Sequence, residues 1–182
     1  EKRLKHAFPT IVYEVEGLPT DMDGARSLAE RDKYQFQWWA CALVGAQAFQ
    51  GKKKGADGGI DGLIYFQDDS SGAKKIVVSV KGGENVSVAM IRDFAHVIER
   101  EKAAMGFFVT LQNPTRPMIT EAVSTGFYNS LGGKQYPKVQ ILTIEGLLSG
   151  SQRAEFPDLS GGDLTFKKAQ KEKKQKQQEG MC

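Results

Sequence analysis

Residues 54–66 read KGADGGIDGLIYF, and residues 75–83 read KIVVSVKGG. Both stretches are rich in β-branched and aromatic residues, which favour strands, and the intervening QDDSSGA of residues 67–73 has the composition of a turn. The sequence therefore predicts a β-hairpin with strands at residues 60–66 and 75–80. Glycines crowd both ends of the hairpin, where they leave room for the backbone to approach a ligand.

The register of this hairpin follows from the position of its turn. If the hairpin folds about Ser70, residues whose numbers sum to about 140 lie opposite one another. On that register Asp61 faces Ser79 and lies diagonal to Lys81. Strand alternation then places all three side chains on one face of the hairpin, and a slip of one residue would undo the arrangement.

The remainder of the chain alternates helix and strand patterns. Before the hairpin we expect a short strand at residues 11–15 and a long helix at residues 24–44 with a break near residues 31–33. After it we expect a helix at residues 88–102 capped by Ser87, a buried strand at 104–111, a helix from Thr115 to Gly126, a strand at 139–143 and a short helix at 144–148 capped by Thr143. This order predicts an α/β fold with a central mixed β-sheet flanked by helices.

Length and composition limit what the chain can be. With 182 residues, of which 40% are hydrophobic, it can bury one core, which we expect at residues 24–150. Residues 1–23 are expected to be an N-terminal extension, continuing from an upstream domain because the first residue is Glu. Residues 151–182 are expected to be a C-terminal extension that ends in a disordered tail rich in lysine and glutamine.

Charge, hydropathy and cysteine content exclude several classes. Residues 167–182 contain six lysines and two glutamates, a charge of +4, so the rest of the chain carries −1 of the net +3 and is about neutral. There is no apolar run of roughly 20 residues, the length that crosses a bilayer, and we therefore expect a soluble intracellular protein with no membrane partner. Two cysteines, Cys41 and Cys182, do not suffice for a disulfide framework or a zinc site.

The residues at the end of the hairpin suit phosphodiester hydrolysis. Mg²⁺ prefers oxygen ligands, and both the Asp61 carboxylate and the backbone carbonyl of Val80 can supply one. Lys81 would then stabilise the negative charge that develops on the phosphate. Taken singly, Asp61 also suits a turn and Lys81 an ordinary strand end, so the argument rests on their joint occurrence.

Four segments carry a resemblance to a known family. GADGGID (55–61), VSVK (78–81), AMGFFVT (104–110) and VQILTIEGLL (139–148) resemble the Mrr-type branch of the PD-(D/E)XK restriction-endonuclease superfamily. YQFQWW (34–39) together with KKGADGGIDG (53–62) is similar to the C-terminal endonuclease-like segment of some bacterial DNA amino-methyltransferases. The resemblance implies a three-layer restriction-endonuclease-like fold, a Mg²⁺ cofactor with Mn²⁺ as the alternative, and DNA as substrate. It also implies a bacterial cytoplasmic restriction-modification protein with a methyltransferase domain on the same longer chain.

The resemblance also assigns roles to single positions. Asp61 matches the family's metal-binding aspartate and Lys81 its catalytic lysine. Ser79 occupies the position where the family has Glu, Asp or Gln, and a hydroxyl is a poor substitute for an anionic metal ligand. Gln37 lies in the first helix, where such folds often carry an acidic residue near the metal, and Asp57 is either a second carboxylate ligand or a turn residue.

Candidate DNA contacts lie outside the hairpin. Lys53 and Lys54 directly precede the glycine-rich motif, and Arg116 begins the helix after the third strand, where backbone amides favour phosphate. A solvated loop is the commoner explanation for such lysines, and an ordinary surface arginine explains Arg116 equally well.

Two functions remain open on the sequence alone. The first is a Mg²⁺-dependent DNA endonuclease of a restriction-modification or DNA-defence system, which cuts with Asp61 and Lys81. The second is a noncatalytic DNA-binding or assembly module that keeps the nuclease fold. Cutting both strands of DNA ordinarily requires two sites, so an endonuclease is also expected to form a homodimer.

Overall fold

Five strands form one mixed sheet in the computed structural model, which describes residues 17–49, 58–68 and 72–157. In chain order the elements are α1 (Met22–Arg31), α2 (Lys33–Leu43), β1 (Gln47–Ala48), β2 (Gly62–Phe66), β3 (Lys74–Lys81), α3 (Val88–Arg100), β4 (Met105–Thr110), α4 (Arg116–Ser124), β5 (Phe127–Asn129), β6 (Gln135–Pro137), β7 (Val139–Thr143) and α5 (Ile144–Ser149). The mixed sheet flanked by helices confirms the predicted α/β fold.

The first helical segment is broken at Asp32, as the sequence predicts. Asp32 has an extended backbone, and its carboxylate accepts hydrogen bonds from the backbone N–H groups of Tyr34 and Gln35 at 3.0 Å each. It thereby caps the N-terminus of α2 directly after α1 ends. Buried residues of both helices pack on the same face of the sheet.

The sheet has the strand order β1-β2-β3-β4-β7. The first three strands are antiparallel, whereas β3, β4 and β7 run parallel to one another. In the hairpin, Gly62 pairs with Val78 and Phe66 pairs with Lys74, which is the predicted register. Asp61 therefore stands opposite Ser79, immediately beyond the last strand pair.

The central strand β4 is buried along its whole length, which agrees with the continuous apolar run in the sequence. On one face of the sheet α1 and α2 pack over Val78 and Val80. On the other face α3 and α4 pack over Val77 and Phe108. The C-terminal end of β3 thus lies between two helical layers, and its even and odd residues face opposite layers.

Some elements differ from the sequence prediction. Strand β2 begins at Gly62, two residues later than expected, and α3 ends at Arg100. The short strand β1 and the hairpin of β5 and β6 were not predicted, while the strand expected at residues 11–15 lies outside the described residues. Across the described part of the chain, no helix has the length and apolar character needed to span a membrane.

Candidate functional site

Asp61 is held in place by both its main chain and its side chain. Its backbone N–H donates to the Val78 carbonyl at 2.8 Å, and its carbonyl accepts from the N–H of Phe49 at 2.8 Å. Its Oδ2 atom accepts a hydrogen bond of 2.7 Å from the backbone N–H of Val80. In a regular hairpin this N–H of β3 would donate to a backbone carbonyl of the neighbouring strand. Here the Asp61 carboxylate takes the place of that carbonyl.

Cys41 of α2 lies close to this end of β2. A Cβ atom at position 62 would lie only 2.7 Å from the Cys41 Sγ atom, so only glycine fits there. Burial, and secondly the negative charge of Asp61, raise the pKa of the Cys41 thiol to about 12. Asp61 thus exerts its charge on the α2 side of the sheet.

Ser79 and Lys81 face the opposite side, towards α3. Together with Gly59 and residues of α3 they line a cavity of about 110 Å³. Ser79 is only 2% exposed, whereas Lys81 is partly exposed. The predicted common face therefore holds for Ser79 and Lys81, but Asp61 is not among the residues that line this cavity.

Asp61 does not share the face of Ser79 and Lys81 because of the turn that precedes it. Gly58 and Gly59 both adopt positive φ angles, of 55° and 82°, in the turn that precedes β2. Ile60 then packs in the core on the α3 side, with Val77 and Phe94, so regular strand alternation does not extend back to Asp61. Arg100 fixes the same turn by donating a hydrogen bond of 2.8 Å from Nη2 to the Gly58 carbonyl.

The structure adds one acidic residue that the sequence analysis missed. Asp93 of α3 lines the same cavity as Ser79 and Lys81, and its side chain is exposed at the surface. In the sequence Asp93 is an ordinary polar residue on the outer face of an amphipathic helix. Only the packing of α3 across β3 brings it to the Lys81 cavity, and no spacing along the chain signals this.

The predicted metal ligands do not form one cluster in the described part of the chain. No group of three His, Cys, Asp or Glu residues suited to a metal ion occurs among residues 17–49, 58–68 and 72–157. Asp57 lies outside these residues. Gln37 lines a different cavity, on the α1–α2 side of the sheet, together with Gly82 and Gly83. Val80 uses its N–H on Asp61, and a ligand role for its carbonyl stays a prediction.

Of the three predicted DNA contacts, the structure describes only Arg116. Lys53 and Lys54 lie outside the described residues. Arg116 is exposed at the first position of α4, and its carbonyl accepts a hydrogen bond from the Thr120 hydroxyl at 3.1 Å. The described residues contain 13 Lys or Arg and 13 Asp or Glu, so this part of the chain has no net positive charge to attract DNA over a distance.

Comparison with known proteins gives one family. Neither a curated protein nor a solved structure matched the chain. A family model described as NACHT-associated inactive Restriction Endonuclease 1 matches residues 34–149, a range that includes every strand of the five-stranded sheet and the hairpin with Asp61, Ser79 and Lys81. Because this match extends over more than half of the sequence, the chain belongs to the NACHT-associated inactive restriction endonuclease 1 family.

Proposed function

We propose that this domain is a noncatalytic module that keeps the restriction-endonuclease fold and contacts DNA phosphates without cutting them. The observation that carries the proposal is Ser79. It occupies the position expected for an acidic metal ligand, it is neutral, and it is only 2% exposed within the buried run of β3. A hydroxyl at this position cannot supply the negative charge with which a carboxylate holds Mg²⁺.

Asp61 has a structural role that explains its presence without a metal. Its Oδ2 atom accepts the Val80 N–H bond, which satisfies a backbone donor at the end of the β2–β3 ladder. A carboxylate in this role stabilises the hairpin in every state of the protein. The aspartate of the family motif is therefore not by itself a sign of cleavage.

Lys81 is the residue best placed to contact a phosphate. It is partly exposed at the end of β3, and among the described residues no hydrogen bond or ion pair reaches its ammonium group. Lysine contacts to phosphates position a protein on DNA without reading its sequence. Because the described part has no net charge, we expect few phosphate contacts and therefore a shallow dependence of affinity on salt.

The matched family also bears on the partner. Its description names an association with NACHT, whereas the resemblance in the sequence implied a DNA methyltransferase domain on the same longer chain. We propose that the domain works beside a NACHT domain. Its task there would be recognition or assembly, in line with the word inactive in the family's description.

One observation favours the other function, a Mg²⁺-dependent endonuclease. Asp61 and Lys81 are both present, and Asp93 brings a carboxylate to the Lys81 cavity. Metal-assisted hydrolysis uses carboxylate oxygens as metal ligands, and Asp93 supplies one beside Lys81, whereas Asp61 does not line that cavity. The experiment must therefore measure cutting and binding separately.

The test combines a cleavage assay with a binding assay. Methylated and unmethylated plasmid are incubated with the protein in Mg²⁺, Mn²⁺ or EDTA, and binding of a labelled duplex is followed by fluorescence anisotropy. We expect no metal-dependent cutting, and binding that persists in EDTA and weakens in Lys81→Ala but not in the control Lys102→Ala. Cutting that disappears in both Asp61→Asn and Lys81→Ala would instead establish the nuclease, and an absence of binding would contradict the DNA contact.

A further inference from the structure

The sheet ends at β7, which has a neighbouring strand on one side only. The Gly106 N–H donates to the Lys138 carbonyl at 2.8 Å, so the even-numbered residues of β7 turn their backbone groups towards β4. The odd-numbered residues turn theirs towards the outer edge of the sheet. On that side, no hydrogen bond to another described residue engages the N–H or the carbonyl of Val139 or Ile141. This edge therefore keeps the free donors and acceptors with which a sheet can add a strand.

Residues 150–157 return along this edge, and we name them the edge strap. The Gln152 carboxamide oxygen accepts hydrogen bonds from the Thr143 N–H at 2.8 Å and from the Thr143 hydroxyl at 2.9 Å. Further along the strap, the Glu155 N–H donates to the Gln140 side-chain oxygen at 2.9 Å, and the Glu155 carbonyl accepts from the Gln140 side-chain nitrogen at 2.6 Å. The strap therefore runs antiparallel to β7, with residue 152 beside residue 143 and residue 155 beside residue 140.

The edge strap has the exposure pattern of a strand but not the hydrogen bonds of one. From Ser151 to Phe156 exposed and partly buried residues alternate, with the even-numbered residues turned inwards. No backbone–backbone hydrogen bond joins the described residues of the strap to β7, and its hydrogen bonds to β7 all use a glutamine side chain. The two carboxamides thus take the place of the backbone groups of a sixth strand, and the strap covers the edge without joining the sheet.

Contacts near both ends attach the edge strap to the rest of the domain. Near its start, the Gln152 N–H donates to the Gly146 carbonyl at 2.9 Å, and a Cβ atom at Gly146 would overlap the Gln152 side chain. Near its end, the Phe156 ring packs against Phe66 and Phe107, with ring centroids 6.1 Å apart in each pair. A cavity of about 700 Å³ is lined by residues 152–156, which lie between these attachments. The glutamine contacts, rather than close packing along its length, therefore hold the middle of the strap against β7.

We propose that the edge strap prevents β7 from pairing with the β7 of a second copy of the chain. Once the strap is released, the two strands pair antiparallel about a twofold axis at Gln140. Val139 of each copy then lies opposite Ile141 of the other, and these two pairs exchange four N–H to carbonyl bonds. This register uses the groups that are free at the edge, which makes the edge complementary to itself. Neither the strap nor β7 lines the Lys81 cavity, so the proposal does not depend on the DNA contact.

Two substitutions on the strap release it without changing the sheet. In the full chain, Gln152→Ala removes the acceptor for Thr143, and Glu155→Pro removes the N–H that donates to Gln140. Analytical ultracentrifugation should find the parent at the mass of one chain and the double variant at twice that mass. The dissociation constant of the dimer should fall at least about tenfold on release. Arg153→Ala, at an exposed residue of the same strap, is the control and should behave as the parent.

Ile141→Pro in the released variant identifies the strand that pairs. Proline removes the N–H that points to the outer edge, whereas the hydrogen bonds between β4 and β7 do not use that N–H. We therefore expect this triple variant to remain folded by circular dichroism and to return to the mass of one chain.

A disulfide tests the register of the pairing. Residues that face each other in a non-hydrogen-bonded antiparallel pair have Cα atoms about 4.5 Å apart, a distance that a disulfide can bridge. Gln140→Cys combined with Gln152→Ala should therefore give a disulfide-linked dimer on oxidation, in a Cys182→Ser background that removes the terminal thiol. Cys41 is buried, and Ser124→Cys, at an exposed position on α4, is the control that should not form the dimer.

The single variant Gln152→Ala is measured beside the double variant, so that a result is obtained even if two substitutions unfold the domain. A folded Gln152→Ala or double variant that associates no more tightly than the parent would overturn the proposal. So would dimers that survive Ile141→Pro, or released dimers that form no disulfide through residue 140.

Discussion

The Asp61 carboxylate accepts a 2.7 Å hydrogen bond from the Val80 N–H, so the motif's aspartate is bonded to the strand that carries Ser79 and Lys81. The bond crosses from the end of β2 to β3 at the point where their backbone ladder stops. It couples the position of a charged side chain to the register of the hairpin. Loss of this bond should therefore be measurable as a loss of stability.

Asp61→Ala should lower the free energy of unfolding by about 1–3 kcal/mol, because it leaves the Val80 N–H without an acceptor. Asp61→Asn keeps an acceptor oxygen and should lose less than half as much. Urea denaturation followed by circular dichroism measures both values. Asp23→Ala, at an exposed carboxylate, is the matched control and should change stability little. An unchanged midpoint for Asp61→Ala would refute the structural role.

Gly62→Ala should destabilise the domain by about 1–3 kcal/mol, because the new methyl group would overlap the Cys41 sulfur. Cys41→Ala removes that sulfur, so the double variant should recover part of the loss. A double-mutant cycle is expected to give a coupling energy above about 0.5 kcal/mol. Strictly additive effects would show that the two positions do not meet.

The Cys41 thiol should make stability fall at alkaline pH. Its pKa is raised from 9.0 to about 12, so between these values the unfolded chain loses the thiol proton while the folded chain keeps it. The folded state then binds more protons, and stability decreases as pH rises, by at most about 1.4 kcal/mol per pH unit. Urea denaturation between pH 8 and 10.5 should show a steeper decline for the parent than for Cys41→Ala, with ~pH 9 as the onset. Parallel curves would contradict the shift.

Ser79→Asp should create metal affinity that the parent lacks. The new carboxylate would face the cavity that Lys81 and Asp93 also line, and it would restore the acidic position of the family pattern. We expect Mn²⁺ to raise the melting temperature of Ser79→Asp but not that of Ser79→Asn, which has similar size and no charge. Without metal, Ser79→Asp should be the less stable of the two, because an unpaired carboxylate at a position only 2% exposed is costly. No response to Mn²⁺ would mean that more than residue 79 separates this site from a metal site.

The sequence predicted much of the fold because its local patterns were strong. The turn expected about Ser70 predicted the hairpin register that the strand pairs show. Thr143 was predicted as the cap of α5, and its hydroxyl accepts from the Gly146 N–H at 3.0 Å. The strands that were not predicted are short and lack a clear alternation of hydrophobic and polar residues. Residues 47 and 48 of β1 are both exposed, and β5 and β6 have three residues each.

The candidate site was predicted only in part, because side-chain direction depends on more than alternation. Ser79 and Lys81 share a face because they lie two apart in one regular strand. Asp61 lies just beyond β2, where the turn at Gly58 and Gly59 changes the direction of the chain. Asp93 reaches the Lys81 cavity through helix packing across the sheet, which a single sequence does not encode in any spacing.

The buried strand β4 has a consequence for synthesis of the protein. Its six residues include Phe107 and Phe108, both fully buried, and they pair on one side with β3 and on the other with β7, which ends at residue 143. A growing chain therefore displays an unpaired apolar edge for the roughly thirty residues between β4 and β7, while no later strand is present to cover it. Chaperone binding during translation, and aggregation of fragments that stop before residue 139, should centre on this strand.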